Sequence, residues 1–415
     1  MAASERPKTI LVMSQVYVPD PASVGQHMAD AAAELARRGN RVVVLTAGRG
    51  YDDPTVKYPA RETLDGVDVR RLPLSSFGKK SIPVRLAGQG LFLLQVIVRG
   101  VLVGRLDGIV VSTSPPMCSI AALIVSWLRG APITYWAMDL NPDQVVALGK
   151  VKADALPVRA FEWLNRRILG RARGIVALDR FMKERLVRKL PGAEGKIAVM
   201  PPWPLEDYPL VAHEANPFRE KLGLGAGEGG KFVVLYSGNH GPTNPIRTLL
   251  DAAVRMKDDP RVVFMFVGGG IGKKEVEAAM KEHPDAQIRS LPYQPMSELK
   301  HSLGAGDVHL VTVGNEAVGI VHPCKVYGAM AVGRPVLLLG PRPCHVSEIV
   351  GMPGEELAAM GRRAREAVNA ELSKGALCGA FCDVVEGTMR GARGAEATPT
   401  PSSSTPAAER SGAVS

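Results

Sequence analysis

The chain has 415 residues, 46% of them hydrophobic, which is too long for one ordinary core and suits two α/β domains. Its formal net charge of +10 favours an acidic partner, such as a nucleotide diphosphate or an anionic lipid surface, or is simply the balance of an ordinary basic protein. Aromatics are only 5% and no basic run is interleaved with them, which argues against nucleic acid.

The opening segment, Met1–Lys8, is polar and charged and has no apolar core of a signal peptide. Ile10–Val16 reads as a first strand. The loop Tyr17–Gly25 follows, longer than a turn requires and rich in Pro and Gly, which suits a backbone lying close to a ligand; Tyr17, Ser23 and Gly25 are its candidates. A helix to about Arg38 is stopped by Gly39-Asn40. His27 lies about a turn into that helix, either facing a cleft or packed for structure. Arg41–Thr46 and Val67–Leu72 are the next strands.

Pro83–Gly104 reads as a long basic and apolar helix. Lys79–Arg105 mixes Lys79, Lys80, Arg85, Arg99 and Arg105 with Leu, Phe, Ile and Val, a pattern that fits peripheral contact with an anionic bilayer or a domain helix with basic ends. The longest apolar runs, Leu91–Val98 and Ile120–Leu128, are too short to span a membrane. Gly108–Ser112 is a strand, and Pro115–Trp127 a helix opened by two prolines. Ile133–Met138, Gly174–Leu178 and Lys196–Met200 are further strands. Asp139 and Asp143 follow the first of these, placed either to orient a hydroxyl or to cap the next helix.

Pro201, Pro202 and Pro204, then the glycines of 223–230, mark a linker. A second alternating series begins with strands Phe232–Tyr236, Val262–Val267, Ile288–Leu291, Val308–Val313 and Pro335–Leu339. Helices fall near Ile246–Met256, Lys274–Glu282, Ser297–Leu303 and Lys325–Val332, and Glu355 to about Glu386 reads as helical throughout. The expected divisions are a first Rossmann-like domain over 1–200, a linker over 201–230, a second such domain over 231–350, a helical segment over 351–392 and a disordered Ala/Thr/Pro/Ser-rich tail over 393–415. The five cysteines include one close pair, Cys378 and Cys382, spaced for one helix face rather than a metal knuckle, and fit a reduced, cytoplasmic protein.

Ligands of open α/β sheets gather beyond the carboxyl ends of the strands. Two glycine loops lie there: Ser237-Gly238-Asn239-His240-Gly241, and the run containing Gly268 and Gly269. Each either lets backbone N–H groups approach a phosphate or is a plain turn. The third stretch, from Asn315 to Pro335, carries Glu316 and His322 and starts a helix at Lys325. A cation in the first helical turn opposes the helix dipole, so an anion at the same place would make sense of it.

His322-Pro323-Cys324-Lys325-Val326-Tyr327-Gly328-Ala329-Met330-Ala331-Val332-Gly333-Arg334-Pro335 resembles the Pro-Ser-Lys-x-Tyr-Glu-x-x-Ala-x-Gly-x-Pro box of the retaining GT-B glycosyltransferases, in particular the subgroup of their large fourth family that builds bacterial surface polysaccharides. Asp139-Leu140-Asn141-Pro142-Asp143 with Ala147-Leu148-Gly149 is similar to an Asp-Leu-Trp-Pro-Glu…Ala-Leu-Gly stretch of the same subgroup, and the resemblance covers roughly residues 8–390. It implies a GT-B fold of two Rossmann-like domains across a cleft and transfer with retention from a nucleotide-diphosphate sugar to a glycan or lipid-linked acceptor, with no metal or other cofactor. The second half would hold the donor through Gly238, Asn239, His240, Arg247, Gly268, Gly269, Glu316 and Lys325. The first half would hold the acceptor beside Tyr17, Ser23 and Gly25, with Asp139 and His27 as catalytic candidates. The enzyme would work in the cytoplasm or at the inner face of the membrane.

The chain departs from the family at several places. The paired glutamates fall here on Ile320 and Gly328, and His240, Asn244 and Arg247 stand where relatives carry Arg and Lys. A strand–helix unit after Val350–Gly354 is missing. An impaired GT-B protein that binds a nucleotide or a partner is therefore the alternative. An epimerase or an NAD enzyme is a third reading, although no acid after Val42–Thr46 is placed for an adenosine ribose.

Overall fold

The computed structural model describes residues 6–20, 22–50, 54–75, 82–204, 208, 211–350, 362, 365–369 and 372–390. It is an α/β fold with two parallel sheets, and the strand–helix alternation read from the sequence is present in both halves.

The first half contains β1 (Thr9–Met13), α1 (Ser23–Arg37), β2 (Arg41–Ala47), β3 (Arg61–Leu64), β4 (Val67–Leu72), α2 (Ile82–Leu102), β5 (Gly108–Ser112), α3 (Cys118–Arg129), β6 (Ile133–Ala137), α4 (Asp143–Ala147), α5 (Leu156–Arg171), β7 (Gly174–Ala177), α6 (Arg180–Lys189) and β8 (Ile197–Val199). The strands lie in the order β3-β4-β2-β1-β5-β6-β7-β8. The central strands are buried along their whole length, as continuous Val/Ile runs covered on both faces should be. Only β3 runs antiparallel, pairing Arg61–Leu64 with Arg70–Val67 through a turn at Asp65-Gly66. It was not expected, because an edge strand with one apolar residue in four carries no buried-strand pattern. The first strand is shorter than expected and ends at Met13, and α3 starts at Cys118, after rather than at the two prolines.

The second half contains α7 (Pro217–Lys221), β9 (Phe232–Ser237), α8 (Arg247–Arg255), β10 (Val262–Val267), α9 (Lys273–Glu282), β11 (Ile288–Leu291), α10 (Met296–Gly304), β12 (Val308–Thr312), α11 (Lys325–Ala331), β13 (Val336–Leu339) and α12 (His345–Val350). Its sheet runs β11-β10-β9-β12-β13, all parallel, with five strands among the described residues. Part of the stretch read as linker belongs to this half's core. Asn216 caps α7 by accepting from the Phe218 amide at 2.9 Å, and Phe218 and Leu224 are buried against Val233, Leu235 and Val263. Arg219, also buried, donates to the carbonyl oxygens of Gly225, Ala305 and Lys231 and pairs with Asp307.

The last described helix, α13 (Lys374–Arg390), returns to the first sheet. The reading of an unbroken helix from Glu355 is corrected here: Leu372 and Ser373 are not helical, and 351–361 lie outside the described residues, as does the tail expected over 393–415. Phe381 lies 4.1 Å from Trp136 and 6.5 Å from Trp203, centroid to centroid. Thr388 and Met389 occupy the space above Gly174 and Gly108, where a Cβ would collide with them. Arg38 at the end of α1 ion-pairs with Asp383 and Glu386. The cysteines are free, and Cys378 and Cys382 lie buried on this helix. Among the described residues no helix is long and apolar enough to cross a membrane.

Candidate active site

The two halves meet along residues 318–325. The Val318 carbonyl accepts from Arg185 Nε at 2.8 Å, and the Ile320 carbonyl accepts from the Leu140 amide at 2.9 Å. Val321 pairs as an isolated antiparallel bridge with Asp139. Gly319 makes this approach possible: its φ is +70°, and a Cβ there would lie 2.7 Å from the backbone of Phe181 in α6.

His322 extends the junction into a buried hydrogen-bonded chain. Its Nδ1 donates to Asp179 Oδ2 at 2.8 Å, and its Nε2 accepts from the Tyr327 hydroxyl at 2.7 Å. Tyr327 Oη accepts from His345 Nε2 at 2.6 Å. Asp179 also caps α6, accepting from the Met182 amide at 2.7 Å. Burial raises the Asp179 carboxyl, but the hydrogen bonds it accepts from His322 and the Met182 amide outweigh it, and the net direction is down. Burial holds His345 down to about 3, so it is neutral. Asp179, His322 and His345 bring ligating atoms within 4.8 Å of one another, a spacing that suits a metal ion. Both His322 nitrogens and His345 Nε2 are hydrogen-bonded to Asp179 and Tyr327.

Lys325 is the next residue of this strip to face the glycine loops. Its ammonium lies 3.9 Å from the centroid of the Tyr236 ring and donates to the Tyr236 hydroxyl at 2.5 Å. Tyr236, at the end of β9, donates in turn to the Asn239 carbonyl at 3.1 Å. The side chain is partly open to solvent, yet its charged end is enclosed by protein, and burial pushes its pKa down to about 7. No carboxylate pairs with it among the described residues. Gly238 faces it with φ +130°, and Gly268 packs so closely on Gly238 that a Cβ there would overlap the Gly238 carbonyl oxygen. These two glycines, expected to bring backbone near a phosphate, therefore form one packed pair beside the ammonium.

Asp139 approaches from the first half. It is half-buried, its backbone is held by Thr113 Oγ1 at 3.1 Å, and burial raises its carboxyl to about 6 against a weaker lowering by His322. Burial, with Asp139 adding to it, pushes the Cys324 thiol up to about 12, and Ser23, at the start of α1, acts in the opposite direction. Ser23, Asp139, Gly238 and Lys325 are thus gathered around Val321–Lys325. Tyr236, Asp179, His322, Tyr327 and His345 complete the setting; of these the sequence points only to His322 and Tyr327, as members of the Asn315–Pro335 stretch, and gives neither a role.

Other candidates lie elsewhere. His27 is buried, with Nδ1 2.8 Å from the Ser23 carbonyl oxygen and Nε2 2.8 Å from that of Trp203. Burial lowers its pKa, so the ring is neutral: Nε2–H donates to the Trp203 carbonyl, Nδ1 accepts from the Ser23 hydroxyl at 3.3 Å, and the side chain ties α1 to the segment after β8. The sequence offers it as a catalytic candidate; the structure places it in this packing contact. Tyr17 is buried beneath the loop, and Gly25 lies within van der Waals contact of its backbone. Arg247 is exposed on α8 and paired with Asp251 at 3.0 Å. Glu316 is exposed in a short 3-10 turn and acts on Arg185, not on Lys325. Asn239 is exposed, whereas buried His240 hydrogen-bonds the Gly269 carbonyl through its amide at 2.7 Å, and Gly269 itself lies against Tyr293. Asp143 is bound by Lys189, which also holds Glu162, so its place is structural.

Two family models match in the order this architecture requires: "Glycosyl transferase 4-like domain" over residues 23–203 and "Glycosyl transferases group 1" over residues 224–352. The chain is a GT-B glycosyltransferase. It is 27% identical over 343 residues to WcaI, a glycosyl transferase assigned to colanic acid biosynthesis in Escherichia coli (strain K12), covering 78% of this chain and 81% of that one. It is 25% identical over 252 residues to WbjE of Pseudomonas aeruginosa, described as a glycosyltransferase, covering 60% and 61%. Solved structures share the fold. Sucrose-phosphate synthase of Thermosynechococcus elongatus superposes with a TM-score of 0.71 at 16% identity, over 92% of this chain and 100% of that one. WaaG, a glycosyltransferase involved in lipopolysaccharide biosynthesis, gives 0.65 at 14%, over 91% and 100%. HepE of Anabaena, solved with UDP and glucose, gives 0.57 at 16%, over 91% and 95%.

Proposed function

We propose that this glycosyltransferase moves a sugar, with retention, from a nucleotide-diphosphate donor to a glycan or lipid-linked saccharide during bacterial surface-polysaccharide assembly. The observation that carries the reading is Lys325: a cation without a carboxylate partner among the described residues, enclosed against Tyr236 and facing Gly238. An enclosed ammonium is unfavourable until an anion joins it. A diphosphate is an anion of the right charge, and the role of WcaI in colanic acid and the UDP bound by HepE point to the same class of chemistry. As the acceptor hydroxyl attacks and the diphosphate leaves, Lys325 stabilises the charge growing on the leaving oxygen. Asp139, across the junction, orients the acceptor hydroxyl. This division of work calls for no metal ion.

Ile320 is buried in the apolar core and Gly328 packs under Leu303, so neither position of the family's glutamate pair supplies a carboxylate. Donor turnover with a panel of UDP- and GDP-sugars tests the reading, using wild type and Lys325→Ala. Wild type should turn over at least one donor, and Lys325→Ala should lose roughly a hundredfold in kcat/KM. Nucleotide binding without turnover by any acceptor, lipid-linked sugars included, would establish the impaired alternative. NMR of the product anomer decides retention, and inversion overturns it.

A further inference from the structure

Helices α2, α3 and α5 lie side by side over one face of the first sheet. A surface helix normally turns polar residues outward. These helices do the opposite. On α2, Leu94, Val98 and Leu102 are spaced for one face and are 56%, 49% and 75% exposed. On α3, Trp127 and Leu128 are 78% and 52% exposed, and on α5 Trp163 is 58% exposed. Large side chains on three adjacent helices thus form an outward apolar layer, the kind of surface that marks an interaction site.

The charge around it has one sign. The segments of α2 and α3 contain no Asp or Glu, and the single acid of α5, Glu162, is held by Lys189. Arg99, Arg166 and Arg167 are exposed among the apolar residues, and Arg167 stacks over the Trp163 ring at 5.0 Å. Arg129 is directed sideways, donating to the Val101, Val103 and Gly104 carbonyl oxygens at the end of α2, so it locks the two helices into one surface.

We propose that this face docks on a bilayer bearing anionic headgroups. Leucine and valine would enter the headgroup–acyl boundary, the tryptophans would sit at its level, and the arginines would meet the phosphates. A second copy of the chain fits less well, because a two-fold interface through this patch would set arginine against arginine. The proposal stands on the exposed face and not on the transfer reaction. Lipid binding and donor turnover can therefore fail independently.

The test is co-sedimentation of the full chain with phosphatidylcholine vesicles, with and without phosphatidylglycerol. Two variants accompany wild type: Leu102→Gln/Trp127→Gln and Arg166→Gln/Arg167→Gln. Circular dichroism and donor turnover with a soluble acceptor check that both remain folded. Wild type should bind the phosphatidylglycerol vesicles and release as salt is raised. The apolar variant should bind at least about tenfold more weakly at every salt concentration, and the arginine variant should lose most of its preference for anionic lipid. Equal binding by wild type and the apolar variant overturns the proposal, as does indifference to headgroup charge. So does a wild-type dimer in analytical ultracentrifugation that the apolar variant dissolves, since that would make a second copy the occupant.

Discussion

His322 Nδ1 donates to Asp179 Oδ2 at 2.8 Å although the two residues stand 143 positions apart and belong to different halves of the enzyme. The bond makes the N-cap of α6 and the segment 318–325 parts of one hydrogen-bonded object. Through Tyr327 it continues to His345, so α6, α11 and α12 share a single buried chain of donors and acceptors.

Removing one end of that chain should loosen the junction. Asp179→Ala takes away both the helix cap and the acceptor for His322, at an expected cost of about 2–4 kcal/mol. Urea unfolding gives the cost, and small-angle scattering should show a larger radius of gyration. Asp179→Asn, which keeps an oxygen for the cap, should lose less. An unchanged urea midpoint in Asp179→Ala would mean the bond contributes no stability.

Asp139 should make the protein's stability depend on pH. Its folded pKa, about 6, lies above that of an exposed aspartate, so its contribution is fully present below about pH 4 and is lost as pH rises through 6. Replacing it with Asn removes the burden of a buried charge at high pH. Asp139→Asn should therefore be more stable than wild type at pH 8, by up to about 3 kcal/mol, with the difference closing by pH 4. Thermal unfolding across that range measures it. Loss of transfer in the same variant would show stability given up for function.

Lys325 should take up a proton when an anionic nucleotide binds. In the free enzyme its pKa lies near 7, and a neighbouring diphosphate raises it. Calorimetry of UDP binding at pH 8 in buffers of different ionisation enthalpy should register uptake approaching one proton. Affinity should fall as pH rises above 7, by up to about tenfold per unit until the bound-state pKa is reached. Lys325→Ala should show neither effect.

Gly319→Ala tests how closely the halves must approach. A methyl group there meets the Phe181 backbone rather than a movable side chain, and the φ is left-handed. The substitution should cost about 2 kcal/mol or more and lower kcat/KM with little change in the circular dichroism spectrum. Wild-type kinetics would mean that this contact does not matter to turnover.

The architecture was legible because buried parallel strands leave continuous Val/Ile runs, and the glycine loops and Lys325 follow them in register with the family's box. What escaped the sequence is non-local. The Asp at 179 reads equally well as a plain helix cap, and only the fold brings His322 to it. Tyr236 looks like one more aromatic at a strand end until Lys325 is seen above its ring. His27 shows the complementary case. Its helical position suited a cleft, but the Trp203 carbonyl, 176 residues away, claims its Nε2.

The return of α13 to the first sheet has a consequence for synthesis. Phe381 fills the space against Trp136 and Trp203, and Thr388 and Met389 cover the starts of β7 and β5. On the ribosome, the half made first therefore emerges with one side of its sheet incompletely covered. It stays so while the whole second half is translated, until α13, the last described helix, leaves the exit tunnel. Domains usually mature in the order they are made. Here the second half has every residue of its sheet available before the first can be finished, and a nascent chain arrested before α13 would be a natural target for chaperones.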